Sequence, residues 1–347
     1  MSPAGSTLAQ ALPQAAAGVL GVPHLHRLWS SIAGADSKAG ASDGRQWAAD
    51  RSTIHGLGLG LHETLEFLHS RRPSFADFEA WILERNEGAI DPQQVALVNA
   101  RVARLFGREA EPAAAGLPAD FEPVLGEAEL LCWQERGYVV LRNAVPPEAC
   151  HAAEQALWNF LGMDPAVPDG WYQDSHGHTI MVPLFHDPAF AENRRSPRIR
   201  AAFAQLWGTI DLQVTIDRGG FNPPERDGWR FPGPNLHWDT SLLPPIPLDI
   251  QGILYLTDTP AAQGAFRCVP GFHRRIDAWL AGLPPGISPR DQDLSAEAVP
   301  IAARAGDMIL WHDALPHGAS ANRGARPRMV QYITWYPPGR ADERPWI

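Results

Sequence analysis

Lysine is almost absent from this chain of 347 residues, in which arginine supplies nearly all of the positive charge. Lysine and arginine together number 29, and Lys38 is the single lysine among them. This excludes a lysine Schiff base from the main domain, where arginine, histidine or main-chain groups must bind any anionic ligand. Acidic residues number 39, and the net charge of −10 disfavours nucleic acid as a partner because phosphate binding requires a basic surface.

Cysteine and long apolar runs are scarce as well. The three cysteines, Cys132, Cys150 and Cys268, lie far apart and form no C-x-x-C pair. This spacing indicates a reducing compartment and predicts no zinc site. No apolar run reaches the ~20 residues of a membrane span, and the alanine-rich start lacks the basic residues of a cleaved signal. We therefore expect a cytoplasmic protein without membrane contact.

Helical patterns dominate the first third of the chain. Apolar residues recur at three- and four-residue steps from Leu57 to Leu68, and two further helices are predicted after Ser74 and from Asp91. A short helix is expected near residues 25–32. We predict that residues 1–119 form a helical N-terminal extension and linker, and that residues 120–347 form a second domain.

Short apolar runs separated by proline and glycine follow beyond residue 205. The pattern predicts strands within residues 212–216, 236–240, 250–257, 265–269, 308–312 and 329–336. Many short strands with turns between them are typical of a closed or double-sheeted β core. We expect a mainly β domain with flanking helices.

The most informative motif is His237-Trp238-Asp239, because alternate residues of an extended segment point to the same side. One imidazole and one carboxylate would then face one ion, and a distant histidine would complete the 2-His-1-carboxylate set of non-heme iron(II) oxygenases. Two histidines compete for the third position. We favour His317, which follows a proline turn, over His312, which ends an apolar run and is typical of a packing residue.

An arginine beyond the second histidine would hold the carboxylate of a chelating cosubstrate through two parallel bonds. Arg326 and Arg328 are both candidates, because residues two positions apart on a strand point to the same face. We favour Arg328, which opens a predicted strand whose inward residues would continue with Val330, Tyr332 and Thr334.

Other polar and aromatic residues on the predicted strands are candidate pocket residues, and the alternative for each is ordinary packing or exposure. We predict cofactor contacts for Gln213 and Gln251 and consider Trp238, Tyr255 and Arg267 beside them. Arginines in the loop before the metal motif could bind an anionic substrate. We favour the alternative that they are solvated or pair with the nearby acids Glu225 and Asp227. The arginines are Arg218, Arg226 and Arg230.

The ordered series of motifs from about residue 125 to residue 336 resembles the phytanoyl-CoA dioxygenase family. It comprises residues 137–141, His237-Trp238-Asp239, residues 264–273, residues 306–310, His317-Gly318-Ala319-Ser320, Asn322 and Arg328. The resemblance implies a double-stranded β-helix (jelly-roll, cupin-like) core, iron(II) bound by His237, Asp239 and His317, and 2-oxoglutarate bound by Arg328. It further implies O₂ as co-reactant, with release of succinate and CO₂.

Two details of the resemblance bear on the chemistry. Related halogenating enzymes have glycine or alanine in place of the carboxylate, so Asp239 favours hydroxylation or another oxidative outcome. Because the family acts on many small molecules, the resemblance implies a small-molecule metabolite as the substrate, and we expect its hydroxylation. Phe272 stands where the family commonly has serine. The competing hypothesis is a jelly-roll protein that has lost catalysis and serves as a binding or scaffolding module.

Overall fold

The computed structural model describes residues 18–34, 43–108, 116–172, 179–233 and 235–347. The chain divides into two compact units, Met1–Glu111 with Gly339–Asp342 and Pro112–Pro338 with Glu343–Ile347. Among the described residues, no helix is both long enough and apolar enough to cross a membrane.

The smaller unit is helical in its described parts. Its helices are α1 (Pro23–Ile32), α2 (Gly44–Gly56), α3 (Leu61–Arg71), α4 (Phe75–Arg85) and α5 (Pro92–Leu105). Side chains of Asp43, Ser74 and Asp91 accept hydrogen bonds from main-chain amides in the first turns of α2, α4 and α5, which stabilises the start of each helix.

The apolar stripe predicted from Leu57 to Leu68 is divided between two elements. Leu57 caps the C-terminus of α2, and the helix that carries Leu68 begins at Leu61. The prediction also missed α2, whose alternating polar and small residues give little apolar periodicity. The expected helix near residues 25–32 is present as α1.

The larger unit contains five α-helices and eleven strands in its described residues. The helices are α6 (Glu127–Arg136), α7 (Pro147–Leu161), α8 (Pro188–Arg194), α9 (Pro197–Trp207) and α10 (Ile276–Ala281). The strands are β1 (Tyr138–Leu141), β2 (Met181–Val182), β3 (Gln213–Val214), β4 (Gly219–Asn222), β5 (Ile250–Tyr255), β6 (Arg267–Cys268), β7 (Val299–Pro300), β8 (Met308–His312), β9 (His317–Gly318), β10 (Arg328–Tyr332) and β11 (Trp335–Tyr336).

The strands form three antiparallel sheets. The largest has the order β1-β8-β5-β10-β4-β2, a second pairs β11 with β3, and a third has the order β7-β6-β9. Isolated bridges at Thr259–Ala303, Gln263–Asn322 and His237–His317 involve the segments that flank the third sheet.

Successive residues of the central strands face two different cores, as the alternation of a strand requires. Leu310 of β8 and Met329 of β10 belong to a core shared with α7 and α9. Their neighbours Ile309 and Val330 belong to a second core, which also contains Phe266 from beside the third sheet. Apolar residues of two sheets therefore pack together in this second core.

The strand predicted over residues 329–336 is divided in the structure. β10 ends at Tyr332 and pairs with β4 and β5, whereas β11 begins at Trp335 and pairs with β3. The predicted inward set of Arg328, Val330, Tyr332 and Thr334 holds only within β10, since Val330 lies in the second core and Tyr332 packs against it. Thr334 lies in the break between β10 and β11 and belongs to neither strand.

Candidate metal centre

His237 and His317 are joined by their main chains. The amide of His237 donates to the carbonyl of His317 over 2.9 Å, and the reverse bond measures 3.0 Å. Asp239 lies two residues after His237, so both side chains emerge on one side of the extended segment. The fold thus brings together one imidazole from each of two distant segments and one carboxylate.

The orientation of both imidazoles suits a metal ion. Nδ1 of His237 lies 2.9 Å from the carbonyl oxygen of Asn235, and Nδ1 of His317 lies 3.0 Å from that of Leu315. An imidazole that donates from Nδ1 has its lone pair on Nε2. The Nε2 atoms of His237 and His317 lie 3.6 Å and 3.3 Å from the Oδ1 and Oδ2 atoms of Asp239, respectively.

One donor atom from each of the three side chains lies within 4.8 Å of the others. No second set of three histidine, cysteine or carboxylate ligands converges in this way in the part of the chain that the structure describes. The Asp239 side chain remains 47% exposed, so ligands can approach from the carboxylate side.

The electrostatics favour the protonation states that metal binding requires. Burial lowers the pKa of His237, and the charge of His317 acts in the same direction. Burial of Asp239 would raise its pKa, but the hydrogen bond and charge of His317, with His237 and Gln251, hold the pKa of this carboxyl well below its usual range. At neutral pH, Asp239 is ionised and His237 is unprotonated.

Neighbouring side chains hold the ligands in place. Nε2 of Gln251 donates to Oδ2 of Asp239 over 3.0 Å. The rings of Trp311 and Phe266 lie 5.0 Å and 6.0 Å from the imidazole of His317, which makes one wall of the centre apolar. Gln251 therefore contacts a ligand side chain, a position that suits orientation of the carboxylate.

Trp238 points away from the centre. Its Nε1 donates to the carbonyl of Ala314 over 3.1 Å, and its ring packs 5.8 Å from both Phe272 and Trp279. Phe272 is fully buried in this aromatic group. Phe272 thus packs against Trp238, the residue between the two candidate metal ligands of the motif.

Arg328 is the first residue of β10 and is only 1% exposed. Its Nε and Nη2 atoms have no hydrogen-bond partner among the described residues. A buried guanidinium with unpaired donors is energetically unfavourable, and a ligand carboxylate would satisfy both donors. Arg326 is exposed, and its carbonyl accepts a bond from Asn322.

His312 does not join the group of metal ligands. Its Nδ1 accepts a bond from the amide of Ala314 over 3.0 Å, and its ring lies beside those of Trp133 and His273. Burial lowers the pKa of His312 to about 4, and the charge of His273 contributes to this shift. These contacts are those of a packing residue.

The remaining pocket candidates lie in different surroundings. Tyr255 is fully buried, and its hydroxyl donates to the carbonyl of Ile301 and accepts from the amide of Phe266, which ties β5 to the segments around the third sheet. Gln213 is buried on β3, opposite Tyr336 of β11.

Arg267 is half-buried, and its strand neighbour Cys268 faces the second core. The assignment of cofactor contacts to Gln213 and Gln251 stays a prediction.

The loop arginines each lie beside a carboxylate or an aromatic ring. Arg218 lies 3.4 Å from Asp217, Arg226 lies 2.8 Å from Asp169 and over the ring of Tyr172, and Arg230 lies 4.0 Å from Glu225. Each of the three arginines therefore pairs with an acidic residue, which is the predicted alternative to an anion-binding site.

Two features of the site were missed from the sequence. The side-chain amide of Asn222 donates to the carbonyl of Ser320, and that of Asn322 donates to the carbonyl of Asn222, which cross-links the strand beside Arg328 to the segment after His317. Arg290 binds main-chain carbonyls next to Asp239. It lies in a three-residue 3₁₀ helix, Pro289–Asp291, which is too short for periodicity to identify it.

Comparisons with known proteins agree with this chemistry. A model of the phytanoyl-CoA dioxygenase family (PhyH) matches residues 133–330, more than half of the chain. A protein of Dictyostelium discoideum named "Putative phytanoyl-CoA dioxygenase" is 21% identical over 258 residues, which covers 59% of this chain and 74% of that protein.

Solved structures with partial similarity include AviO1 from Streptomyces viridochromogenes, with 16% identity, a TM-score of 0.44 and coverage of 66% of this chain and 100% of that one. The non-heme α-ketoglutarate-dependent carbocyclase SnoK from nogalamycin biosynthesis has 19% identity, a TM-score of 0.41 and coverage of 65% and 87%. Because these TM-scores are below 0.5, family membership depends on the match over residues 133–330.

Proposed function

Because the chain belongs to the phytanoyl-CoA dioxygenase family, we propose that it hydroxylates a small-molecule metabolite with release of succinate and CO₂. Family membership makes the protein a non-heme oxygenase that depends on iron(II) and 2-oxoglutarate. The observation that carries the proposal is the convergence of His237, Asp239 and His317 in a chain that also buries an unpaired guanidinium at Arg328.

The residues present fit an iron(II) ion. Two imidazoles that donate from Nδ1 and one ionised carboxylate form a 2-His-1-carboxylate donor set, which leaves further coordination positions free. Iron(II) bound there together with 2-oxoglutarate supplies the activation of O₂. His237 and His317 would hold the ion through Nε2, and Gln251 would keep Asp239 oriented through its bond to Oδ2.

The residues also fit 2-oxoglutarate. The unpaired Nε and Nη2 of Arg328 can donate two parallel bonds to one carboxylate, and burial strengthens a bond between charged groups. Arg328 would fix the end of the cosubstrate remote from the metal. Its place at the start of a paired strand keeps the guanidinium in one position.

We assign this activity to residues 120–347 and propose that the two sheets around the second core form a double-stranded β-helix. Residues 1–119 are then a helical extension. The substrate is proposed to be a small molecule, and O₂ is the co-reactant. Arg218, Arg226 and Arg230 each lie beside a carboxylate, so their contacts do not support an anion-binding site. An anionic substrate therefore stays a prediction.

The proposal is tested by mixing the protein anaerobically with iron(II) and 2-oxoglutarate. A weak visible charge-transfer band should appear, and admission of air should convert 2-oxoglutarate into succinate. An Arg326→Ala variant, altered at an exposed arginine, should behave like the unmodified protein. Absence of both the band and succinate would support the competing hypothesis of a binding or scaffolding module.

A further inference from the structure

Arg290 binds the main-chain carbonyls of the two residues that flank Asp239. Its Nη1 donates to the carbonyl of Trp238 over 2.9 Å, and its Nη2 donates to the carbonyl of Thr240 over 2.8 Å. Nε and Nη2 also donate to the main-chain oxygen of Ile347, over 3.1 Å and 2.8 Å. The guanidinium therefore connects three segments of the larger unit.

Residues 343–347, the tail segment, lie along the chain that follows Asp239. The ring of Trp346 lies 4.5 Å from the guanidinium carbon of Arg290. The guanidinium of Arg344 donates to the carbonyl of Ser241 over 3.0 Å. The tail segment lies beyond residue 330, where the match to the family model ends.

Asp239 receives little support from regular structure. His237 makes only an isolated bridge to His317, and residues 238–249 belong to no strand. A carboxylate in such a segment would lose conformational entropy when it binds a metal ion, unless other contacts already fix its backbone. The bonds from Arg290 and the tail segment supply those contacts.

We propose that Arg290 is a positioning residue that, together with the tail segment, holds the backbone of Asp239 in the conformation that binds the metal ion. Arg290 acts on the flanking carbonyls, so its contribution is to orientation of the ligand. The inference rests on the proposed function of the metal centre. It adds to that centre the tail segment, which lies outside the family match.

Binding of Mn²⁺ alone, followed by electron paramagnetic resonance of the free ion, tests the proposal without turnover. Arg290→Gln should raise the dissociation constant for Mn²⁺ by about 10- to 100-fold, the usual effect of losing a residue that orients a ligand. Trp346→Ala, which removes a ring that is 66% exposed, should raise it by a smaller factor with little risk to folding.

Arg274→Gln is the matched control, since Arg274 is an exposed arginine of the same unit. The metal-free Arg290→Gln protein should still unfold in a single cooperative transition, as this control does, and Arg290→Lys should recover only part of the affinity because it lacks the planar fork. Equal Mn²⁺ affinities for Arg290→Gln and Arg274→Gln would overturn the proposal.

Amide exchange at Leu242 gives a second readout. This amide donates to the main-chain oxygen of Ile347, so it should exchange faster in Arg344→Gln and Trp346→Ala if the tail segment holds the chain after Asp239. Unchanged exchange in both variants would exclude the tail segment from the positioning role. If the unmodified protein bound no Mn²⁺, the proposed function itself would fail, which distinguishes the two results.

Discussion

At the scale of single residues, hydrogen bonds at Nδ1 distinguish the two candidate metal-binding histidines from His312. His237 and His317 donate from Nδ1 to carbonyls, whereas Nδ1 of His312 accepts a bond from an amide. The imidazole atoms that lie close to the carboxylate of Asp239 belong to His237 and His317.

Asp239→Ala should therefore abolish iron-dependent succinate formation, because the ion loses its one anionic ligand. His312→Ala should retain most of this activity, since His312 lies outside the group of ligands. Succinate release measured under saturating iron(II) checks both. The reverse order of effects would show that the ligands are wrongly assigned.

Arg328→Ala should raise the KM for 2-oxoglutarate by about 10- to 100-fold, as expected when hydrogen bonds of about 1.5–3 kcal/mol to a charged group are lost. Arg326→Ala is the control, because Arg326 lies two residues away and is exposed. Steady-state rates at varied 2-oxoglutarate give both values. Equal KM changes would contradict the assignment of Arg328.

The stability of the larger unit should depend on the protonation of His312. Burial and the charge of His273 lower the pKa of His312 to about 4, so the folded state binds a proton less readily than the unfolded state, whose pKa is near 6.5. Stability should thus fall as pH decreases from 6.5 towards 4, by at most about 1.4 kcal/mol per pH unit from this residue.

Replacement of His312 by asparagine, which keeps an acceptor for the amide of Ala314, should make this decline shallower. Urea unfolding between pH 7 and pH 4.5 checks the slope. His237 and His273 also have lowered pKa values, so part of the decline should remain. The lowered pKa of Asp239 acts only at more acidic pH, where stability is lost as pH falls through the folded-state value. An unchanged slope in the variant would disprove the role of His312.

At the scale of elements, continuous apolar runs identified the strands that are buried on both faces. β5, β8 and β10 lie within predicted runs because Ile, Leu, Val and Met occupy successive positions. β4 was missed, since its sequence Gly-Gly-Phe-Asn has low strand propensity. Gly220 permits close packing there: a Cβ atom would lie 2.7 Å from Cγ2 of Val330. This packing requirement for glycine can be recognised only when the partner strand is known.

Gly264 is a second close approach between elements. Its φ is +69°, and an added Cβ would lie 2.4 Å from Nδ2 of Asn222, which bonds to Ser320. Gly264→Ala should destabilise the unit by about 1–2 kcal/mol for the left-handed backbone and a further ~1–3 kcal/mol for overpacking.

Gly286→Ala isolates the first contribution, because Gly286 also has a positive φ but no atom within 4 Å of the added Cβ. Chemical denaturation of both variants measures the difference. Equal destabilisation would show that the Asn222 side chain moves aside at little cost.

At the scale of the whole molecule, ligand binding should stabilise the fold of the larger unit. The metal ligands come from segments 80 residues apart, as the positions of His237 and His317 show, and these segments are adjacent only in the folded chain. Mn²⁺ with 2-oxoglutarate, at about 100 times their joint dissociation constant, should stabilise the folded state by about 2.7 kcal/mol.

Thermal unfolding with and without the two ligands measures this effect, and removal of the metal with EDTA should reverse it. Asp239→Ala should show little stabilisation under the same conditions. A ligand-induced shift of equal size in that variant would indicate binding elsewhere on the protein.

The sequence by itself determined the chemistry of the centre. The residue types and order of His237, Asp239, His317 and Arg328, within a series of family motifs, were sufficient to predict iron(II) and 2-oxoglutarate, because ligand chemistry depends on side-chain type.

The tertiary structure alone decided what supports these groups. Only the packed chain shows that Gln251 bonds to Asp239 and that Arg290 binds the carbonyls around Asp239. It also shows that Nε and Nη2 of Arg328 are buried without a partner among the residues that the structure describes. The contacts of Gln251 and Arg290 join residues that are distant in sequence and that no periodic pattern relates. The contacts form only when the segments are packed in this geometry.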